Sequence, residues 1–367
     1  MLKKNKGNAV SVLMIIIIIA IIAIGVFLFF YIQSEEIEVP NFVRNFIETD
    51  QEKVVDETGN EVLKNPLEDL SNVETPHATA SGYYFSQLNS YAKVIYQALE
   101  SNIENLKTGT YTIKLGDQFD SILDQEDGMQ QLNQIYQNAI DAFIMDHPEV
   151  FYLDITKMIM VVNTKTSPFS KTYELQISPD QNQSYLAEGF SNKQDVDNAI
   201  NQINLIKNEI VANATGTDYD KIKYVHDWLV EDLNYDQTLA KPNIRNVYGA
   251  FINHEAVCEG YAEAFQMLMN EIGIPSVMVV GTGTNSNGQT ESHAWNYVQL
   301  EGKWYGIDTT WDDPVVIGGG RQTSQMRMQY FLKGSTTFNE SHHASGQVSE
   351  AGMIFTYPTL ETSDYRS

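Results

Sequence analysis

The chain has 367 residues, with 23 basic against 48 acidic residues for a net charge of −25, 43% hydrophobic residues and a single cysteine. A polyanion of this size excludes nucleic-acid binding through phosphate neutralisation, and a lone cysteine excludes an internal disulfide. The length is ample for a buried core, expected to divide over two modules.

Ala9 to Ile32 form 24 consecutive uncharged positions dominated by Ile, Ala, Val, Leu and Phe. At ~1.5 Å per helical residue such a run crosses a hydrocarbon core of ~30 Å. Lys3, Lys4 and Lys6 precede it, and Glu35 and Glu36 follow. This predicts a single-pass transmembrane anchor at 9–32 in the cell membrane, with residues 1–8 cytoplasmic and the remainder extracytoplasmic. A cleaved signal peptide is the alternative, but its apolar region is usually ~7–15 residues long and ends in a small-x-small site. This run ends Phe30-Tyr31-Ile32-Gln33. Residues 1–34 hold three of the bases and no acid, so residues 35–367 carry 20 bases against 48 acids, a net −28. Such a surface is self-repelling and is repelled by anionic head groups.

Residues 33–82 are polar and acidic with sparse, unpatterned apolar positions, which reads as a linker. Residues 83–214 read as an α+β module. Its expected elements are helices over Tyr84–Leu106, Met129–Ile144 and Asp195–Ala212, and strands over Thr110–Leu115, Phe151–Val162 and Thr172–Ile177. His147, in Asp146-His147-Pro148-Glu149, is expected to be a structural turn residue. A domain over 215–345 follows, opened by a helix over Asp218–Leu233, and 346–367 form a C-terminal strand and tail. His226 and Asp227 are neighbours on that helix and point in different directions, so they are not a catalytic pair by themselves. His226 is expected to be structural, with support of a site as its sharper role.

From Cys258 the apolar residues Ala262, Phe265, Leu268, Met269 and Ile272 follow the stripe of a core-facing helix, stopped by Gly273 and Pro275. Cys258 therefore sits in the first turn, where unpaired amides and the helix dipole favour a thiolate and could bind an oxyanion. Gly260 and Ala262 keep the surroundings of the sulfur small, leaving room for a substrate. A buried cysteine acting as a small hydrophobe is the equal alternative on this segment.

Ser276 to Val280 reads as a strand, Gly281 to Gln289 as a polar loop, and His293–Leu300 with Trp304–Thr310 as a hairpin around Glu301-Gly302-Lys303. A two-residue loop at Glu301-Gly302 puts Asp308 on the face of His293, diagonal to it and ~7 Å or less away between Cβ atoms. A three-residue loop would put them on opposite faces. Trp295 lies on the His293 face, to shield the pair or simply to fill the core. Asp312 and Asp313, before Pro314, are rival orienters expected to be loop carboxylates. His342 and His343 are adjacent and lack the spacing that puts two histidines on one ion, so no metal site and no cofactor are expected.

Val225-His226-Asp227-Trp228-Leu229, Val257-Cys258-Glu259-Gly260-Tyr261-Ala262, His293-Ala294-Trp295-Asn296 and Asp308-Thr309-Thr310-Trp311-Asp312 stand in an order and spacing that resembles the transglutaminase-like superfamily, in its bacterial, papain-related cysteine peptidase branch. The resemblance covers residues 217–333, and the Asp146–Phe151 stretch resembles a module found ahead of this domain in relatives. It implies an α+β fold with a papain-like core, in which the nucleophile helix packs on an antiparallel sheet. It further implies Cys258 as nucleophile, His293 as general base and acid, and Asp308 as orienter. Tyr261, Gly260, Trp295 and His226 are candidates for substrate contact or support. The expected activity is acyl transfer on peptide or glutamine amides of envelope proteins or peptides, hydrolysis being favoured over crosslinking. The alternative is a catalytically silent scaffold or binding module that kept the fold.

Overall fold

The computed structural model describes residues 49–51, 82–313 and 326–366. The expected membrane-spanning helix at 9–32 lies outside the described residues. Among those described, no helix is long and apolar enough to cross a membrane. The fold class is therefore corrected to a mixed α/β fold with no membrane-spanning helix among the described residues.

The first half builds helices onto a four-stranded sheet. Helix α1 (Ser90–Glu100) starts where Asn89 accepts a hydrogen bond from the Ala92 amide, and it buries Ala92, Ile95, Tyr96 and Leu99. The single helix expected over Tyr84–Leu106 is thus broken: a 3-10 turn precedes α1, and a separate short helix, Ile103–Leu106, follows it. Helix α2 (Gly128–Asp146) buries Leu132, Ile135, Ala139, Ile140 and Phe143 against it. Strand β1 (Thr49–Gln51), β2 (Ile113–Gly116), β3 (Met158–Thr166) and β4 (Lys171–Pro179) lie in the order β1-β3-β4-β2. The β3–β4 hairpin is antiparallel, with Val162 opposite Leu175. Its first strand starts later than the apolar run from Phe151, because Asp154 accepts from the Thr156 amide and turns the chain through a 3-10 segment first.

The second half is a helix packed on another sheet. Helix α3 (Lys193–Asn213) is capped by Asn192, and α4 (Asp218–Asp232) by a Thr217–Asp220 capping box. Helix α5 (Cys258–Ile272) begins at the cysteine and stops at Gly273, whose φ of 84° is the left-handed conformation glycine adopts without penalty. Strands β5 (Ser276–Thr284), β6 (Thr290–Leu300), β7 (Lys303–Ile307) and β8 (His342–Ala344) form an antiparallel sheet in the order β8-β5-β6-β7. The loop expected over Gly281–Gln289 is shorter, with β5 continuing to Thr284 and β6 starting at Thr290.

Ala262, Phe265, Leu268 and Met269 are buried between α5 and this sheet, each large apolar side chain contributing about 1.5–3 kcal/mol of transfer free energy. One continuous apolar core joins residues of both halves, among them Tyr96, Phe143, Phe265 and Val298. Polar ties cross it. Buried Gln266 donates to the Met145 carbonyl at 2.8 Å and accepts from the Met278 amide, linking the end of α2, α5 and β5. Asp146 accepts from the amides of Tyr84 and Phe85 at 3.0 and 2.8 Å.

Candidate active site

The β6–β7 hairpin sets the geometry. Its loop is Glu301-Gly302, both at positive φ (54° and 76°), with Leu300 opposite Lys303 and Tyr297 opposite Gly306. This is the two-residue register. Pairing stops at Asn296–Ile307, however, and Asp308 caps a short helix, α6 (Thr309–Asp312), instead of continuing a strand as far as Thr310. Asp308 Oδ1 accepts from the amides of Thr310 and Trp311 at 2.9 and 3.1 Å. His293 Nε2 lies 2.7 Å from Asp308 Oδ2, and both side chains are buried.

Burial alone would raise the Asp308 carboxyl, but His293 and His342 together hold it well below the usual carboxylate range. The carboxylate is therefore ionised, and His293 must carry a proton on Nε2. That leaves Nδ1 as the basic nitrogen, and it has no hydrogen-bond partner among the described residues. Trp311 stacks on the imidazole, with ring centres 4.7 Å apart at 21°, and Trp295 lies 5.8 Å away. Gly283 on β5 makes room for this stack, since a Cβ there would come within 2.7 Å of the Trp311 ring and 3.2 Å of His293 Cδ2.

Cys258 opens α5 beside the same strand. The Ala294 N–H, next to His293, lowers the proton affinity of the Cys258 sulfur, and the Asp308 charge raises it. Asn296 fixes the approach by donating to the Ala262 carbonyl one turn along α5, at 3.0 Å. The thiolate expected from the helix N-terminus is not the resting state. Burial, followed by the neighbouring Glu259 carboxylate, pushes the thiol well above its ordinary value. The sulfur instead lies 3.1 Å from Glu259 Oε2, as a thiol donating to it, while Arg245 pairs with the other Glu259 oxygen.

The remaining candidates are structural neighbours. Gly260 is buried against the chain, where a Cβ would meet the Ile244 carbonyl and Ala256 at 2.8 Å, so it serves packing and not substrate room. The Tyr261 hydroxyl donates to Asp313. His226 is fully buried, 3.0 Å from both Asp312 Oδ2 and Asp227 Oδ1, so the helical neighbours expected to point apart are in contact. Asp312 also accepts from the Tyr330 amide. Asp312 and Asp313, expected in a loop, are both buried.

Sequence reasoning missed His342. Its Nε2 sits 3.0 Å from Asp308 Oδ2, inside the sheet through β8. The ligand atoms of His293, Asp308 and His342 lie within 4.8 Å of one another. Donor hydrogens on an ionised carboxylate account for that closeness, and the array is read as hydrogen-bonded. A cavity of about 590 Å³ lies elsewhere, lined in part by Asp146, His147, Glu149 and Asn270, with Cys258, His293 and Asp308 absent from its walls.

Residues 206–309 match the transglutaminase-like superfamily, and the chain carries a transglutaminase-like domain. Kyphoscoliosis peptidase of Mus musculus is 27% identical over 150 residues, covering 37% of this chain and 22% of that protein. The Homo sapiens protein of the same name is 28% identical over 138 residues, covering 34% of this chain and 21% of that protein. The chain thus spans about a fifth of the length of the curated relatives it matches. Among solved structures, a TGase shares 18% identity over 46% of this chain and 48% of that one, with a TM-score of 0.30. The periplasmic domain of TgpA from Pseudomonas aeruginosa shares 16% over 39% and 55%, with a TM-score of 0.24.

Proposed function

We propose that this protein is a cysteine-dependent amide acyltransferase in which Cys258 attacks, His293 moves the proton and Asp308 orients His293. The observation that carries this reading is the buried 2.7 Å contact between His293 Nε2 and Asp308 Oδ2, with His293 on β6, the strand against which the Cys258 helix α5 packs. With Nε2 committed to the carboxylate, Nδ1 is the nitrogen available to take the thiol proton.

The steps follow from those roles. The Cys258 S–H proton passes to His293 Nδ1 as sulfur bonds to an amide carbonyl carbon. The tetrahedral oxyanion is stabilised by backbone amides at the start of α5. His293 returns the proton to the departing nitrogen, the C–N bond breaks, and a thioester on Cys258 remains. Water or an amine then attacks, with His293 as base, releasing an acid or a new amide and regenerating the thiol. Hydrolysis is the favoured ending, because no second site for an amine is identifiable beside the sulfur among the described residues.

The test is mass spectrometry of protein incubated with short glutamine-containing peptides, with and without hydroxylamine as acceptor. The expected result is an acyl adduct confined to the Cys258 peptide and absent from Cys258→Ala. Acylation that persists in Cys258→Ala, or its absence from folded wild type across a diverse peptide set, overturns the reading.

A further inference from the structure

Asp308 carries two imidazoles. Oδ2 faces His293 Nε2 at 2.7 Å and His342 Nε2 at 3.0 Å, while Oδ1 takes the amides of Thr310 and Trp311. Four donors from separate chain positions therefore fill the acceptor sites of one buried carboxylate. His342 is held as firmly as the residue it touches. Its side chain is fully buried, and its ring stacks on Phe338 with centres 4.1 Å apart at 14°. It also packs against Trp311 and Tyr330, at 4.7 and 5.1 Å. Its second nitrogen, Nδ1, lies 2.9 Å from the Ser341 hydroxyl.

These contacts fix a tautomer. Burial keeps the His342 imidazole neutral by lowering its proton affinity. A neutral ring facing an ionised carboxylate must place its one N–H on Nε2, leaving Nδ1 to accept from the Ser341 hydroxyl. Asp308 thus meets one permanently neutral donor and one ring that is charged and discharged during turnover. The titratable groups acting on Asp308 or feeling its charge are His293 and His342, with Asp312, Tyr330 and Cys258.

We propose that His342 is a positioning residue for the acyl-transfer site, a fixed neutral donor that holds the Asp308 carboxylate and takes part of its Oδ2 charge away from His293. This rests on the triad reading above. By sharing Oδ2, His342 leaves His293 a weaker hydrogen bond than an undivided carboxylate would make, so that the imidazole is held without being locked to Asp308 while it hands its proton to a leaving nitrogen. It also stops the Asp308 side chain from rotating away while His293 changes charge.

The test uses the full chain labelled with 15N in its histidine rings, with His342→Phe, which fills the space without a donor, and His342→Gln, whose amide nitrogen can replace Nε2. In wild type the His342 ring should show a proton on Nε2 and stay neutral to lower pH than a free imidazole does. In His342→Phe the undivided Oδ2 should hold the His293 Nε2–H more tightly, moving that proton's NMR signal downfield. The pH profile of Cys258 alkylation by iodoacetamide should move with it, and His342→Gln should restore both. A bare Nε2 on His342 in wild type overturns the proposal, even if His342→Phe does not fold. So does folded His342→Phe with an unmoved His293 Nε2 proton signal, or His342→Gln behaving as His342→Phe does. Failure of Cys258 to acylate would sink the enzymatic reading, while the ring proton signals would still decide what His342 does.

Discussion

Glu259 sets the reactivity of the thiol, and replacing it tests the electrostatics of the site. Its Oε2 lies 3.1 Å from the Cys258 sulfur. A unit charge at that distance costs a thiolate about 1 kcal/mol in water-like surroundings and about 5 kcal/mol at an effective dielectric of ~20. The Glu259 side chain is 31% exposed and is paired with Arg245, which places the interaction near the lower figure. Because 1.36 kcal/mol corresponds to about one pKa unit, Glu259→Gln should lower the Cys258 titration midpoint by about one unit. At a fixed pH below that midpoint the thiolate fraction then rises about tenfold. The assay is the rate of iodoacetamide labelling of Cys258 between pH 6 and 10, read by mass spectrometry. Arg245→Gln should move the midpoint the other way, by exposing the sulfur to an uncompensated carboxylate. An unchanged or raised midpoint in Glu259→Gln would refute this account of the resting thiol.

Three further outcomes are expected. Asp308→Asn presents an amide N–H to two ring N–H groups and so favours the wrong His293 tautomer. It should cut turnover by about 10⁴-fold while the protein stays folded, and a loss under tenfold would argue against an orienting role. Gly283→Ala should lose about 1–3 kcal/mol of stability in urea titrations, because its Cβ would sit 2.7 Å from Trp311; unchanged stability would show the ring stack to be pliable. Burial, opposed by His226, pushes Asp312 from 3.8 up to about 6. The folded state therefore binds that proton more tightly, and its contribution is full below pH 4 and lost as pH rises through about 6. Asp312→Asn should show a shallower fall in melting temperature from pH 4 to 6.5, and an equally steep fall would reject this assignment.

Much of the site is written in local patterns. The apolar stripe from Ala262 to Met269 announces α5, and Glu301-Gly302 between alternating runs fixes a register that sums correctly from Leu300 to Gly306. Both signals are short-range, so each is visible without knowing the fold. Asp308 shows the limit: its strand-like surroundings gave the right face, but the carboxylate takes up the Thr310 and Trp311 amides and turns the chain into a helix. His342 was hidden because its relation to Asp308 depends on β8 pairing with β5, a contact made across some 60 residues of chain. Adjacent His342 and His343 looked like a failed metal pair, when alternation along a strand sends one ring inward and leaves the other exposed. The state of the thiol was misjudged for another reason. Helix position favours a charge, while desolvation and Glu259 oppose it, and only the coordinates show which is larger.

The Gln266 bridge has a practical corollary for anyone wishing to make this protein in smaller pieces. One amide side chain satisfies a carbonyl at the end of α2 and an amide of β5 at once, deep in a shared interior. Cutting the gene near residue 215 would strand that donor and strip the apolar surface around it, inviting aggregation of a fragment that still contains every reactive group. Expression boundaries are better drawn at 49–367, which keeps β1 on its sheet, and a shortened product that proved inert would speak to lost scaffolding before it spoke to chemistry.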